Sequence, residues 1–204
     1  MDQNRTKAIF KQMAAHYDSP ERKQVAAVIH EELEQRLKQL PDRDLLLDYG
    51  CGTGLMSLPF AEHFSKLLLV DIAEEMLEQV RGKCQALELS NVALKTVPEF
   101  QELQGQANAI LVVQTLLHVA QVEELLEQLA AHLLPDGQIF LIDFLAHAEI
   151  DHPLVHPGFS QEELVSLCQQ AGLKLVEFKP FYTADGLFMG KRSTLFVAVL
   201  QHSN

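Results

Sequence analysis

The stretch LLLDYGCGTG, residues 45–54, decides the fold of this chain. It is an apolar run that stops at one acid, Asp48, and then breaks into glycines at every second position. Such a run predicts a buried strand that ends in a tight turn. The free N–H groups of a glycine turn before a helix usually favour phosphate. A carboxylate opposes phosphate, so the first question is which ligand suits a glycine turn that follows Asp48.

Apolar strands and amphipathic helices alternate around this stretch. Predicted strands cover 44–50, 66–71, 91–97, 108–113 and 137–144. Predicted helices cover 20–40, 55–64, 73–87, 122–133 and 160–172. The Pro-Asp-Gly segment at 135–137 predicts a turn, and Gly172 is expected to end the last helix. Continuous apolar strands separated by amphipathic helices indicate a parallel sheet that is covered on both faces.

The C-terminal segment follows a different pattern. Residues 173–181 and 193–200 predict two strands that pair as a hairpin across a turn region at 183–192. Together the patterns predict an α/β fold: a Rossmann-like, seven-stranded and mostly parallel sheet with helices on both faces and a C-terminal antiparallel hairpin. The chain, 1–204, is expected to form a single domain.

Composition and charge narrow the class of protein. The chain has 48% hydrophobic residues and a formal net charge of −12, which disfavours nucleic acid as a partner because phosphates would be repelled. The three cysteines are widely spaced and indicate a reducing compartment, so a cytoplasmic location is expected. The N-terminal segment has no apolar core and no long apolar run follows, so neither secretion nor membrane insertion is predicted.

The spacing of Gly50, Gly52 and Gly54 argues against a dinucleotide. The G-x-G-x-x-G pattern would place a glycine at position 55 or 57, where the chain has Leu55 and Ser57. Asp48 would also repel a pyrophosphate, whereas it would attract a cationic group. A nicotinamide oxidoreductase is therefore disfavoured, and a ligand with a positive charge near the loop is favoured.

Asp71 closes the next predicted strand and supplies a second clue. An acid at this position can accept both hydroxyls of a ribose. A ribose plus a cationic group, without phosphate, describes S-adenosylmethionine. Two simpler interpretations stay open: Asp71 could only cap the following helix, and the glycines could only form a tight turn.

These motifs resemble a known family. DYGCGTG resembles motif I of the class I S-adenosylmethionine-dependent methyltransferases, and VDIAEEML resembles their second signature. LLHV resembles the family's segment after strand four, and LLPDGQIFLIDF resembles its strand-five signature. HPGFSQEEL and AAHYDSPER are similar to segments of small-molecule members related to ubiquinone and menaquinone biosynthesis enzymes. The resemblance extends over nearly the whole chain and implies S-adenosylmethionine as cofactor.

The resemblance also implies roles for individual residues. Glycines at the turn let the backbone approach the cofactor, Asp48 acts near its amino-acid portion, and Asp71 holds the ribose hydroxyls. Ile72 and Met76 pack on the adenine, although Met76 could equally be a core residue of its helix. The predicted cofactor-binding residues are Asp48, Gly50, Cys51, Gly52, Gly54, Asp71, Ile72, Met76, Thr96, Val97 and Gln114.

Thr96 marks a departure from the family pattern. Members commonly have an acid after the third strand that accepts from the adenine amino group, and here Thr96, Val97 and Pro98 occupy that place. Adenine recognition could then rest on backbone groups, the ligand could be a modified relative, or Glu99 could substitute. The missing acid also motivates an alternative function, a catalytically silent cofactor-binding partner subunit or regulator.

Methyl transfer needs a base only when the acceptor atom must lose a proton. The candidates for this base are His16, Tyr17, His118, His147, His152 and His156. The spacing of the last three matches no standard zinc pattern, so no metal site is predicted, and residues 146–158 are expected to form a solvated loop or a pocket lid. For His118, a hydrogen bond within a helix start is an equally good explanation.

The predicted acceptor is a small molecule. After the fourth strand the chain reads VVQTLLHV, which lacks the Asn/Asp-Pro-Pro-aromatic pattern of methyltransferases that act on DNA amines or glutamine side chains. The chain has no room for a separate substrate domain, so the N-terminal helices within 1–40 are expected to form part of the substrate lid. A quinone-like ring, an amine, a thiol and a polyketide-like compound all remain open as acceptors.

Overall fold

The computed structural model describes residues 3–103 and 105–203 and has one seven-stranded sheet. The strands are β1 (Leu45–Tyr49), β2 (Lys66–Asp71), β3 (Val92–Thr96), β4 (Ala107–Val113), β5 (Leu133–Phe144), β6 (Leu173–Phe188) and β7 (Lys191–His202). Their order is β3-β2-β1-β4-β5-β7-β6. Pairs among β1 to β5 are parallel, whereas β7 runs antiparallel to both β5 and β6. The predicted Rossmann-like α/β fold is confirmed.

Six α-helices accompany the sheet in the described ranges. They are α1 (Gln3–Met13), α2 (Pro20–Leu37), α3 (Glu74–Ala86), α4 (Val97–Gln101), α5 (Val122–Ala131) and α6 (Gln161–Gln170). Ser19 starts α2 because its side-chain oxygen accepts from the N–H of Arg22 at 3.3 Å, with Pro20 in the first turn. Gly172 has φ +70°, the left-handed conformation expected just after the end of α6.

The main core lies between the central strands and the helices. All seven residues of β4 are buried, as a parallel strand covered on both faces requires. α2 contributes Ala26, Ile29, Leu33 and Leu37, which recur at helical spacing and are all buried. Ile29, Leu33 and Leu37 belong to the same buried cluster as the apolar residues of β4, so α2 is part of the main core.

Three local predictions are wrong. The segment 55–64 is not an α-helix but a series of turns leading into a 3-10 helix at Leu58–His63, where Pro59 cannot donate a backbone hydrogen bond. The Pro-Asp-Gly segment at 135–137 lies within β5, because Leu133 already pairs with Ala107 and the extra residues form a bulge.

The third wrong prediction concerns the length of the turn in the C-terminal hairpin. The turn is much shorter than the predicted region at 183–192, because β6 continues to Phe188 and β7 begins at Lys191. Met189 and Gly190 alone connect the strands, with φ +51° and +74°, as a two-residue hairpin turn with positive φ at both positions requires. The ring of Phe188 stacks on Phe144 at 4.3 Å, which anchors the end of the hairpin to β5.

Candidate functional site

A cavity of about 110 Å³ opens at the carboxyl ends of β1, β2 and β4. It lies where the sheet order reverses between β1 and β4, which is the usual ligand position in an open α/β sheet. Predicted site residues that line it are Tyr17, Gly50, Gly52, Asp71, Ile72, Val97, Gln114 and His118. Residues that line it and were not predicted are Thr6, Phe10, Tyr49, Val113, Thr115 and Val119.

The glycine turn after β1 forms the floor of the cavity. Gly50 has φ +76°, and a Cβ at this position would lie 2.4 Å from the Thr115 side chain. Gly52 has φ +54°, and its Cβ would approach the ring of Tyr17 at 3.5 Å. Both positions therefore need glycine for conformation, and Gly50 also needs it for space. Gly54 packs against Leu58 and does not line the cavity.

Asp71 connects the end of β2 to the glycine turn. Its Oδ2 accepts a hydrogen bond from the N–H of Gly52 at 2.8 Å, and its Oδ1 accepts from the N–H of Ala73 at 2.8 Å. Burial raises the pKa of Asp71, whereas these backbone donors lower it. Each carboxylate oxygen keeps a further lone pair, so Asp71 can still accept hydrogen bonds from a ligand in the cavity.

Asp48 lies beneath the turn and does not line the cavity. Its side chain is only 1% exposed, and its Oδ2 has no hydrogen-bond partner in the described part of the chain. Burial raises the pKa of Asp48 to about 7, although neighbouring Ser57 lowers it and Asp71 raises it. Asp48 was predicted to act near the amino-acid portion of the cofactor. From this buried position it would do so by its charge and not by direct contact.

The segment after β4 carries Gln114, Thr115 and His118 past the cavity. Gln114 has φ +49° and donates its N–H to Ile142 O at 2.7 Å. The hydroxyl of Thr115 contacts Val113 O at 3.0 Å and Gly50 O at 3.3 Å. These bonds hold a strained, left-handed residue at the centre of the site.

Asp143, at the end of β5, supports the next turn of this segment. Its Oδ2 accepts from the N–H of Leu117 at 3.2 Å, and its Oδ1 accepts from the N–H of Phe144 at 2.9 Å. The carboxyl is fully buried, and burial raises its pKa to about 7. Asp143 thereby positions the 3-10 helix Leu116–His118 next to the cavity.

His118 is a neutral imidazole at the cavity wall. Burial lowers its pKa to about 4, with the Leu154 carbonyl acting in the opposite direction as a hydrogen-bond acceptor and His152 lowering it further. The ring of Phe10 meets it edge to face at 5.0 Å. A neutral imidazole has one unprotonated ring nitrogen, and that nitrogen can accept a proton.

The segment between α1 and α2 is attached to the rim of the site by Tyr17 and Asp18. The Arg22 guanidinium lies 3.9 Å from the centre of the Tyr17 ring, and burial raises the pKa of Tyr17. Asp18 accepts from the Thr53 hydroxyl at 2.5 Å and pairs with Lys83 at 2.6 Å. These contacts tie the N-terminal segment to the glycine turn and to α3.

The end of β3 differs from the prediction. Thr96 does not line the cavity, because its N–H and hydroxyl donate to Glu99 Oε2 at 2.7 and 2.8 Å in the capping box of α4. Glu99, the other candidate for the missing acid, is the partner in these bonds and does not line the cavity either. Met76 is fully buried and packs against Ala14 outside the cavity. Ile72 and Val97 are the predicted residues that present apolar surface there.

The remaining predicted histidines and Cys51 do not reach the cavity. His147 and His152 accept backbone N–H bonds from Glu149 and Leu154 within their own loop. The ring of His156 stacks on Phe159 at 4.4 Å, and the backbone N–H of His156 donates to Leu117 O at 2.8 Å. The loop 146–158 therefore packs behind His118. Within 3–103 and 105–203, no three His, Cys, Asp or Glu side chains converge as a metal site requires.

Most of the unpredicted lining residues adjoin predicted ones in the sequence, but Thr6 and Phe10 do not. They lie four residues apart on α1 and so share one face of that helix. This spacing was visible in the sequence, and a lid was predicted within 1–40, but the sequence did not indicate which residues of that lid face the cavity.

The chemistry of the lining fits S-adenosylmethionine. The lining offers apolar surface for the flat adenine ring and the Asp71 carboxylate for the ribose hydroxyls. It also includes the backbone of the glycine turn. Of the described residues, none that lines the cavity is a lysine or an arginine, so the cavity offers no cationic side chain to a phosphate. In the same ranges no helix has the length and apolar character that crossing a bilayer demands.

Comparisons with known proteins find methyltransferases among both the sequence relatives and the structures of similar fold. An uncharacterised methyltransferase of Schizosaccharomyces pombe is 22% identical, over 65% of this chain and 54% of its own length. The (S)-coclaurine N-methyltransferase of Papaver somniferum is 27% identical, over 65% of this chain and 39% of its own. The chain thus spans about half or less of these relatives. A methyltransferase structure from Aquifex aeolicus, described as SAM dependent, superposes with a TM-score of 0.68 at 19% identity, over 98% of each chain.

The family match is broader than these pairwise matches. Residues 21–178, most of the chain, match the methyltransferase domain family. That range contains β1 to β5, the glycine turn, Asp71 and His118. The chain therefore belongs to the methyltransferase domain family and has the fold of the class I S-adenosylmethionine-dependent methyltransferases.

Proposed function

We propose that this protein transfers a methyl group from S-adenosylmethionine to a small-molecule acceptor. One observation carries the proposal: Asp71 and the left-handed glycine turn meet at a cavity at the switch point of the sheet. A carboxylate and close backbone there suit a ribose and a cationic amino acid. The bound cofactor supplies a methyl group that its sulfonium has already activated.

The chain's own residues would hold and orient the cofactor. Asp71 would accept from the ribose hydroxyls, while Ile72 and Val97 would pack against the adenine. Gly50 and Gly52 would admit the amino-acid portion, close to the buried carboxyl of Asp48. Backbone groups near Val97 would recognise the adenine edge, since Thr96 is committed to Glu99.

His118 is the best-placed proton acceptor for the acceptor molecule. It lines the cavity, and its low pKa keeps it neutral at pH 7. The unprotonated ring nitrogen of His118 would take a proton from a hydroxyl or an acidic carbon as the methyl group is transferred. An amine or a thiolate acceptor would not need this step.

Three features support a small acceptor. None of the described residues that line the cavity is a lysine or an arginine, the net charge is −12, and the Papaver relative is named as an N-methyltransferase of (S)-coclaurine. α1 lies over the cavity, as a lid within residues 1–40 would, while α2 packs into the core. A cytoplasmic enzyme without nucleic acid or membrane partners is consistent with these features.

Calorimetry with S-adenosylhomocysteine tests cofactor binding. We expect stoichiometric binding that excludes NADH, and an absence of binding would contradict the proposal. Turnover is then followed as S-adenosylhomocysteine release across panels of phenols, amines and thiols. The engaged Thr96 also keeps a silent cofactor-binding subunit as a second candidate. Methyl transfer to any acceptor by the isolated chain would exclude that candidate.

A further inference from the structure

We propose that the hydroxyl of Thr6 hydrogen-bonds the bound cofactor, so that α1 is part of the cofactor site. The inference rests on the proposed function, because it takes S-adenosylmethionine as the ligand. It adds a binding residue that lies before the region that matches the methyltransferase family, residues 21–178.

The first observation is an unsatisfied hydroxyl. Thr6 is 7% exposed and lines the cavity, and its Oγ1 has no hydrogen-bond partner among the described residues. Native proteins leave few buried polar atoms unpaired, and each one costs free energy. A hydroxyl that is buried against a ligand cavity without a partner indicates that the partner belongs to the ligand.

The second observation places α1 over the nucleoside end of the cavity. Lys11 pairs with Glu75 at 2.5 Å, and Glu75 lies in the first turn of α3, shortly after Asp71 and Ile72. Phe10 packs with Ile72 in a small cluster that also contains Ala73. The C-terminal end of α1 therefore lies beside the Asp71–Ile72 side of the cavity, the side expected to bind the ribose. Thr6, one helical turn before Phe10, lines the same cavity.

The third observation concerns how α1 is attached. Its apolar contacts form a small cluster around Ala14, Ala73 and Met76 that is separate from the main core. The side chain of Lys11 is 63% exposed, and an exposed ion pair contributes little stability. The cavity measures about 110 Å³, whereas ligand pockets usually measure about 300 Å³ or more, so we expect part of the lining to move when the cofactor enters. A weakly attached helix can make that movement.

The chemistry of the hydroxyl matches the ligand. A threonine hydroxyl can donate one hydrogen bond and accept others. It therefore complements the hydroxyls, ring nitrogens and carboxylate of a nucleoside amino acid, without adding a charge that would oppose its sulfonium.

Two substitutions at Thr6 test the inference by calorimetry with S-adenosylhomocysteine. Thr6→Val keeps the shape and removes the hydroxyl, and we expect a Kd about 10-fold higher, as for one lost hydrogen bond in a closed site. Thr6→Ser keeps the hydroxyl, and its Kd should stay within about 3-fold of wild type. Ile9→Ala, on the exposed side of α1, is the matched control and should leave the Kd unchanged.

Thermal unfolding without ligand separates binding from a structural role. Because Thr6→Val removes an unpaired buried hydroxyl, the free variant should have a Tm equal to or above that of wild type. A lower Tm would assign the hydroxyl to folding and overturn the inference, as would an unchanged Kd in Thr6→Val. Failure of the wild-type protein to bind S-adenosylhomocysteine would instead overturn the proposed function, and this inference with it.

Discussion

The cavity has two walls that are built in different ways. One wall is the sheet rim, which consists of Gly50, Gly52, Asp71, Gln114 and Thr115. Strand ends and hydrogen bonds tie this rim to the main core. The other wall is α1, whose contacts include a small cluster separate from the main core, the Phe10–His118 ring contact and the exposed Lys11–Glu75 ion pair. Substitutions in the rim should therefore affect both folding and binding, whereas substitutions in α1 should affect mainly binding.

The largest effect is expected from Gly50→Ala. The new Cβ would lie 2.4 Å from Thr115 and would force an alanine to φ +76°. Left-handed backbone costs about 1–2 kcal/mol and overpacking about 1–3 kcal/mol, so the free energy of unfolding should fall by about 2–5 kcal/mol. Urea denaturation measures this change.

Gly82→Ala is the control for that measurement. Gly82 lies in the middle of α3 with open space where a Cβ would stand. Alanine there should raise stability by up to about 1 kcal/mol. If the two substitutions lowered stability equally, the packing of Thr115 on Gly50 would not be what makes the rim rigid.

The next effect concerns two residues that pair across neighbouring strand ends, Asp71 and Thr96. Asp71→Ala removes the acceptor at the cavity and the tie to Gly52, so the affinity for S-adenosylhomocysteine should fall about 100-fold, or about 3 kcal/mol. Thr96→Ala should lower stability by about 1 kcal/mol through the lost cap and change the affinity less than about 3-fold. Calorimetry and denaturation of both variants measure the contrast, and a large loss of affinity in Thr96→Ala would contradict it.

The pH dependence of stability tests the buried carboxyl of Asp48. Its pKa is raised to about 7 from a usual value of 3.8, so between these values the folded state binds more protons than the unfolded state. The free energy of unfolding should therefore rise as pH falls, by about 2 kcal/mol between pH 7 and pH 5 for this group. Asp48→Asn should remove the contribution of Asp48 to the pH dependence of the free energy of unfolding. The similar contribution of Asp143, whose pKa is also raised to about 7, should remain. Equal slopes in wild type and Asp48→Asn would show that Asp48 is ionised in the folded protein.

The smallest effect on stability is expected from Phe10→Ala in α1. The substitution removes the contact with the His118 ring, but a weakly attached helix opens before the rest of the protein unfolds, so global stability should fall by less than about 1 kcal/mol. Proteolysis within residues 3–16 should become faster, and S-adenosylhomocysteine should slow it. A loss of stability as large as that of Gly50→Ala would show that α1 belongs to the main core.

The sequence predicted the sheet more accurately than its connections. β2 begins and ends where its apolar run does, because a strand buried on both faces leaves a continuous apolar segment. The error at 135–137 arose because Pro-Asp-Gly usually forms a turn, whereas pairing of Leu133 with Ala107 keeps the segment in β5 as a bulge. Long-range pairing overrode a local preference at that point.

For the candidate site, the reliable sequence signals were residues at strand ends. Gly50, Gly52, Asp71 and Gln114 all line the cavity, since the carboxyl ends of parallel strands meet at one edge. Thr96 also ends a strand, but its partner Glu99 three residues later turns it toward α4. The S/T-x-x-E pattern of a capping box was present in the sequence and could have predicted this.

The sequence by itself determined the strand and helix alternation, the glycine turn and the acids at the strand ends, because these depend on local periodicity and on backbone conformation. Only the tertiary structure decided that Thr6 and Phe10 of α1 line the cavity, that the Thr6 hydroxyl has no partner among the described residues, and that His118 rather than the later histidines lines the site. These properties depend on which surfaces meet across long sequence separations, and neither the composition nor the spacing of residues records those contacts.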